Sequence, residues 1–199
     1  MSLIVNEIFY SLQGEGGRVG EASIFIRLTK CNLACDFCDT DFAQGKTMSV
    51  SEILNEIRVF DCRWIVWTGG EPTLQLTDEI IAFFKKNGYF QAIETNGTRK
   101  IPAGIDYIAC SPKRSSVIER SRNTVKNRIP EVDELRFPMR KGDLLPDIST
   151  LPKAKHYFLS PVFNGQDIVR ENVEYCVELI KQNSQWTLSL QVHKLIDIR

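Results

Sequence analysis

Short runs of β-branched and aromatic residues alternate along this chain with segments in which apolar residues recur every three or four positions, the rhythm of strands exchanged for helices. Residues 3–10 and 22–28 have strand composition. Trp64-Ile65-Val66-Trp67-Thr68 is an uninterrupted apolar run of strand length, as expected for a parallel strand buried on both faces. Residues 90–94, 107–110, 134–137, 156–159 and 186–192 predict further strands. Between these runs the period lengthens. Val50, Ile53, Leu54 and Ile57 share one helical face behind Ser49, with Glu52 at capping-box spacing, which predicts a helix over residues 49–59. Ile80, Ile81, Phe83 and Phe84 predict a second over residues 77–87, closed by Gly88. Val169, Val173, Cys176, Val177 and Ile180 predict a third over residues 166–182.

About six or seven of these strands, alternating with three to four helices, imply an α/β fold with a mostly parallel sheet and right-handed crossovers. The βα units are too few for a closed eightfold barrel, so the expected architecture is a partial, open βα barrel with ligand groups at the carboxyl ends of its strands. A chain of 199 residues with 43% hydrophobic content can bury one substantial core, and a single domain over residues 1–199 is the expectation. Residues 114–130 show the weakest periodicity.

The formal charge balances at 25 basic against 25 acidic residues, so no global field draws the protein to nucleic acid or to an anionic membrane. Its apolar stretches are too short to span a bilayer, and the amino terminus lacks the basic-then-apolar order of a signal peptide; a cytoplasmic protein is expected. Locally, six basic residues between Lys113 and Arg128 stand against Glu119 alone, either a solvated loop and helix or a docking face for an acidic partner.

Six cysteines, three of them clustered, point to a metal centre in a reducing compartment rather than a disulfide framework. Cys62, Cys110 and Cys176 stand among apolar neighbours and read as small buried hydrophobes. Cys31, Cys35 and Cys38 are different. Three thiolates leave a fourth position open, and no second pair of ligands stands at a suitable spacing for a closed zinc site. On a [4Fe–4S] cluster that opening exposes one iron to a small-molecule ligand. Other sequence features gather around this centre. Gly69-Gly70-Glu71-Pro72 follows the apolar strand, and its glycines admit a ligand close to the backbone. Gln13-Gly14-Glu15-Gly16 breaks the first strand, either as a surface turn or as a loop whose amide and carboxylate read a polar heterocycle. Arg27, inside a strand, needs a carboxylate or phosphate partner, and a protein carboxylate serves as well as a ligand's.

The spacing C-x3-C-x2-C at residues 31–38, with Gly69-Gly70-Glu71-Pro72 one strand later, resembles the radical S-adenosylmethionine enzymes. With Gln13-Gly14-Glu15-Gly16, Asp39-Thr40, Ser111-Pro112-Lys113 and Gln191-Val192-His193-Lys194, the whole chain resembles the 7-carboxy-7-deazaguanine synthase family. That resemblance implies a homodimeric enzyme of queuosine and deazapurine biosynthesis. It converts 6-carboxy-5,6,7,8-tetrahydropterin to 7-carboxy-7-deazaguanine with loss of ammonia, using a [4Fe–4S] cluster, S-adenosylmethionine and Mg2+. The family assignment implies cluster ligation by Cys31, Cys35 and Cys38, and Mg2+ ligation by Thr40, whose other reading is a helix or turn cap. It implies cofactor contacts by Phe37, Cys38, Asp39, Gly70, Glu71, Ser111, Pro112, Lys113, Ser160 and Pro161. Substrate contacts fall to Leu12, Gln13, Gly14, Glu15, Arg27, Thr68 and His193. Glu15 and His193 are the catalytic candidates, with proton transfer belonging either to His193 or to the substrate's own nitrogens.

An acidic electron donor such as flavodoxin suits the basic segment. Members of the family can place a terminal carboxylate in the substrate site, and this chain departs from their pattern in running on to Arg199. Two other functions share parts of the pattern. An activase for a glycyl-radical enzyme has the cluster motif and the glycine turn but no use for Gln13, Glu15 and His193 together. A non-enzymatic iron–sulfur redox module would not cleave S-adenosylmethionine.

Overall fold

The structure, a computed structural model, describes residues 1–36, 38, 44–113 and 129–199. The chain forms two compact units. One comprises residues 1–12, 21–95 and 99–108, the other residues 13–20, 96–98 and 109–199.

In the first unit the strands lie in the order β3 (Lys46–Ser49), β1 (Ser2–Leu12), β2 (Ala22–Leu28), β4 (Trp64–Gly69), β5 (Phe90–Thr95). β1 is antiparallel to both β2 and β3, whereas β2, β4 and β5 run parallel. Ile65, Val66 and Trp67 are all completely buried, which is why β4 reads as a continuous apolar run. Even its polar atom is satisfied: Trp67 Nε1 donates to Gln91 Oε1 at 3.0 Å, and Gln91 Nε2 donates to the Ile81 carbonyl at 2.9 Å. Helix α1 (Val50–Ile57) opens with both halves of the capping box, Glu52 N–H to Ser49 Oγ and Ser49 N–H to Glu52. That backbone hydrogen bond, with the Ser49 hydroxyl, holds the Glu52 carboxyl below its ordinary range. Helix α2 (Asp78–Lys86) is capped by Thr77 and ends before Gly88, whose φ of +83° is the left-handed conformation glycine allows.

β6 (Tyr107–Cys110) begins in the first unit and ends in the second. In the second unit it runs parallel to β7 (Glu131–Met139), followed by β8 (Lys153–Pro161) and β9 (Thr187–Leu188), also parallel. Trp186 seals this core between Phe137 and Tyr157, with ring centroids at 5.7 and 5.6 Å. Helix α3 (Arg170–Gln182) covers the strands and buries Cys176. The fold is thus α/β with an open, mostly parallel sheet in place of a closed barrel.

Several boundaries differ from the pattern. β3 is an additional strand, four residues long, too short to show a period. α3 starts at Arg170 rather than residue 166, because Asn164 and Asp167 exchange backbone hydrogen bonds of 2.9 Å that close a turn. The expected strand over residues 186–192 shrinks to Thr187–Leu188. Ser189 N–H still bonds the Leu159 carbonyl at 3.0 Å, but the chain then leaves the ladder and Val192 N–H turns to the Gly14 carbonyl at 2.9 Å. His193 therefore stands on the one-turn helix α4 (Val192–Leu195), not at a strand's carboxyl end.

Candidate active site

The first unit builds a backbone cradle where the parallel strands β2, β4 and β5 end. Lys30, left-handed at φ +69°, turns the chain out of β2 towards Cys31. The turn after β4 is stitched to this segment: Gly70 N–H bonds the Leu28 carbonyl at 3.1 Å and Glu71 N–H the Lys30 carbonyl at 2.9 Å. A Cβ on Gly70 would overlap the Lys30 carbonyl, so only glycine lets the two backbones approach so closely. Beneath the turn Glu71 is wholly buried, and its Oε1 accepts from Thr73 N–H at 3.1 Å, Thr73 Oγ1 at 2.6 Å and Thr95 Oγ1 at 2.8 Å. The carboxylate is thus engaged by the protein's own donors.

Arg27 and Thr68 are register partners on β2 and β4, one residue before this cradle. Arg27 Nε donates to Glu7 Oε1 at 2.7 Å, and its guanidinium lies over the Phe9 ring, 5.7 Å from the centroid. Leu12, at the end of β1, is exposed. Cys31 and Cys35 are partly exposed, Cys38 is exposed, and none is in a disulfide. Cys38 N–H bonds the Cys35 carbonyl at 3.2 Å, and Leu33 N–H bonds Cys31 Sγ at 3.4 Å. Phe37, Asp39 and Thr40 lie outside the described residues, as does the basic segment over residues 114–128.

The second unit gathers Gln13, Gly14, Glu15 and His193. Gln13 is buried, its Oε1 accepts from Glu15 N–H at 3.2 Å, and its carbonyl accepts from Gly20 N–H at 2.8 Å. The His193 ring packs so closely on Gly14 that a Cβ there would collide with Nδ1. Glu15 accepts from Arg136 Nη1 at 2.7 Å on one oxygen and from Gln191 Nε2 at 2.9 Å on the other. Gln191 enters the sequence pattern only within a motif, and Arg136 does not enter it. The available signal is Glu134 and Arg136 alternating with the apolar Leu135 and Phe137, since alternation puts both charges on one face. Ser111, Pro112 and Lys113 follow β6, with Lys113 Nζ donating to Ser111 Oγ at 2.7 Å. At the end of β8, Pro161 is buried and the Ser160 hydroxyl is sealed from solvent with no hydrogen-bond partner among the described residues.

A family model of the radical SAM superfamily matches residues 25–129. The 7-carboxy-7-deazaguanine synthase of Bacteroides thetaiotaomicron is 40% identical over 195 residues, 98% of both chains. The chain belongs to the 7-carboxy-7-deazaguanine synthase family. The Haemophilus influenzae member is 44% identical over 200 residues, 96% of this chain and 92% of its own. The crystal structure of QueE from Escherichia coli shares the fold, with a TM-score of 0.74 at 24% identity over 97% of this chain and 95% of its own.

A radical SAM enzyme implies a [4Fe–4S] cluster and S-adenosylmethionine, and the residues present fit both. Cluster ligation needs thiolates free of disulfides and accessible, as Cys31, Cys35 and Cys38 are. Among the described residues no three His, Cys, Asp or Glu side chains converge on a single ion. A cluster does not require that, since each thiolate takes a different iron. At Gly70 the place of a side chain is taken by the Lys30 carbonyl, so the turn after β4 lies directly against the segment that leads into Cys31. The orphaned Ser160 hydroxyl is the kind of buried polar atom that a ligand satisfies.

Proposed function

We propose that the protein catalyses the Mg2+-dependent ring contraction of 6-carboxy-5,6,7,8-tetrahydropterin to 7-carboxy-7-deazaguanine, releasing ammonia. Substrate and product differ by one ammonia, so the reaction is redox-neutral overall. The observation that carries this reading is the glycine loop of the second unit. There Gln13, Gly14 and Glu15 are held in fixed orientation against His193 and Gln191. A pterin presents donors and acceptors along its aminopyrimidinone edge, and the loop offers both an amide and a carboxylate to match them. The relatives named as this synthase, similar along their whole length, support the same substrate class.

When bound, the cluster and S-adenosylmethionine supply the one-electron chemistry that removes a hydrogen atom from the substrate. The rest falls to the chain. Cys31, Cys35 and Cys38 hold the cluster, while Phe37, Asp39, Gly70, Glu71, Ser111, Pro112, Lys113, Ser160 and Pro161 bind the cofactor. In this role Glu71 acts through its backbone, because its carboxylate is occupied by Thr73 and Thr95. Leu12, Gln13, Gly14, Glu15, Thr68 and His193 bind the pterin ring, and Arg27 takes the carboxylate with Glu7 orienting its guanidinium. His193 is the candidate proton carrier. Thr40 supplies one hydroxyl oxygen to Mg2+, a hard ion that keeps most of its water. The catalytic domain spans residues 1–199 and works as a cytoplasmic homodimer, reduced by an acidic donor such as flavodoxin.

Anaerobic reconstitution with iron and sulfide, followed by turnover of the carboxytetrahydropterin with and without Mg2+, tests this reading. The expected result is 7-carboxy-7-deazaguanine in an amount stimulated by Mg2+, with the stimulation lost in Thr40→Ala. Cleavage of S-adenosylmethionine without conversion of the pterin would overturn the substrate assignment and favour an activase.

A further inference from the structure

Strand β7 carries an ion pair on its buried face. Val132, Glu134 and Arg136 alternate on that face and Leu135, Phe137 and Met139 on the other, and all six are buried. A buried charge in a central strand costs several kcal/mol unless it is paired. Here both charges are committed to the glycine loop. Glu134 Oε2 accepts from Gly17 N–H at 2.7 Å, and its carboxylate packs where a Cβ on Gly16 would stand. Gly16 has φ +70°, so glycine is needed both for this backbone and for the approach of Glu134. Arg136 spans two carboxylates. Its Nη1 donates to Glu15 Oε2 at 2.7 Å, while its Nε lies 2.9 Å from Glu134 Oε1, close enough for charge contact though not aligned as a hydrogen bond. Ser189 Oγ accepts from Gly16 N–H at 2.9 Å and completes the clamp.

We propose that Arg136 and Glu134 are positioning residues that lock the loop of residues 13–17 and aim the Glu15 carboxylate at an edge of the substrate bearing two adjacent N–H donors. The side chain of Glu15 is 22% exposed against 6% for Arg136 and 2% for Glu134, so Glu15 is the end of the network that opens to solvent. Each of its oxygens already accepts one hydrogen bond, from Arg136 or from Gln191. Each retains a second acceptor direction. Two parallel acceptors held by two fixed donors complement an aminopyrimidinone, whose ring N–H and exocyclic amine lie side by side. A free glutamate would lose rotamer entropy on binding such an edge, and the clamp removes that cost in advance. The proposal rests on the pterin reading for the identity of the edge, but not for the clamp itself.

The test uses the full, cluster-loaded chain with Arg136→Met, Arg136→Lys, Glu15→Gln and the double variant Arg136→Met/Glu15→Gln. Arg136→Met should raise the KM for the carboxytetrahydropterin about tenfold to a hundredfold, the range for one charge-assisted contact, with a smaller change in kcat. Arg136→Lys should restore part of the loss, since a lysine reaches one carboxylate but has no fork for two. In the double variant the Arg136 substitution should add less than twofold to the effect of Glu15→Gln, because both act through one carboxylate. Additive effects, or an unchanged KM in Arg136→Met, would overturn the proposal. Hydrogen exchange gives a readout independent of substrate. The Gly16 and Gly17 amides should exchange at least tenfold faster in Arg136→Met while the β7–β8 ladder stays protected. Unchanged exchange at the two glycines would overturn the clamp even if the parent turned over the pterin. Faster exchange in Arg136→Met, beside a parent that turns over no pterin, would uphold the clamp and reject the substrate.

Discussion

Thr95, the last residue of β5, donates its hydroxyl to the wholly buried carboxylate of Glu71 at 2.8 Å, so the turn after β4 is tied to the strand beside it. Glu71 also accepts two hydrogen bonds from Thr73. A buried carboxylate needs such donors to offset its desolvation. Glu71→Ala would strand two buried hydroxyls and a backbone N–H. It should lower unfolding stability by about 3 kcal/mol and weaken S-adenosylmethionine binding through the displaced Gly70 backbone. Glu71→Gln, which keeps an acceptor oxygen, should lose less. Urea unfolding of both variants checks the order, and equal stability in parent and Glu71→Ala would reject it.

Cys31→Ala, Cys35→Ala and Cys38→Ala should each abolish reductive cleavage of S-adenosylmethionine and the visible absorbance of the reconstituted cluster. Cys176→Ala should keep both, because Cys176 lies on the buried face of α3. In the cluster-free protein a thiol reagent should modify Cys31, Cys35 and Cys38 and spare Cys110 and Cys176, as their exposure dictates. Full cleavage activity in any of the first three variants would defeat the cluster assignment.

Arg27 pairs with Glu7 in β1 and is covered by Phe9, which stacks on Phe25 with centroids 4.9 Å apart. Its planar fork is held in one orientation, a geometry that lysine cannot copy. Arg27→Lys should weaken binding of the carboxytetrahydropterin about tenfold or more, and removing the substrate's carboxylate should erase the difference between the two proteins. Equal affinity in titrations of both proteins with the carboxylated pterin would assign Arg27 to the scaffold.

Burial, with a smaller contribution from Asp143, pushes the Cys176 thiol up to about 12. An unfolded thiol ionises near about 8.5, so the folded state holds its proton where the unfolded chain has released it. This contribution is complete below about pH 8.5 and is lost as the pH rises towards 12. Thermal unfolding of Cys176→Ala should therefore show a smaller drop in Tm between about pH 8 and pH 10 than the parent, whatever the two values at neutrality. A drop of the same size in both would remove Cys176 from the alkaline balance.

Much of this protein is local and could be read from the chain alone. The apolar run over Trp64–Gly69, the Ser49–Glu52 capping box, the Thr77 cap and the Gly88 stop concern residues within a few positions of one another, and each element stands where its pattern puts it. The cysteine spacing and the glycine turn are equally local, because a cluster loop and a backbone cradle need particular residue types at fixed separations. The partners of the charged residues are not local. Glu15 meets Arg136 across 121 positions and Gln191 across 176, and nothing in the sequence near Glu15 announces either one. Arg27 had two admissible partners by composition, and it was the antiparallel register of β1 and β2 that brought Glu7 opposite it. The end of the chain follows the same rule: residues 186–192 have strand composition, yet β9 stops at Leu188 and the backbone turns to hydrogen-bond Gly14. Periodicity records which face of an element is buried, whereas a buried charge is satisfied only by whatever the packed fold carries to it, and that choice is made in three dimensions.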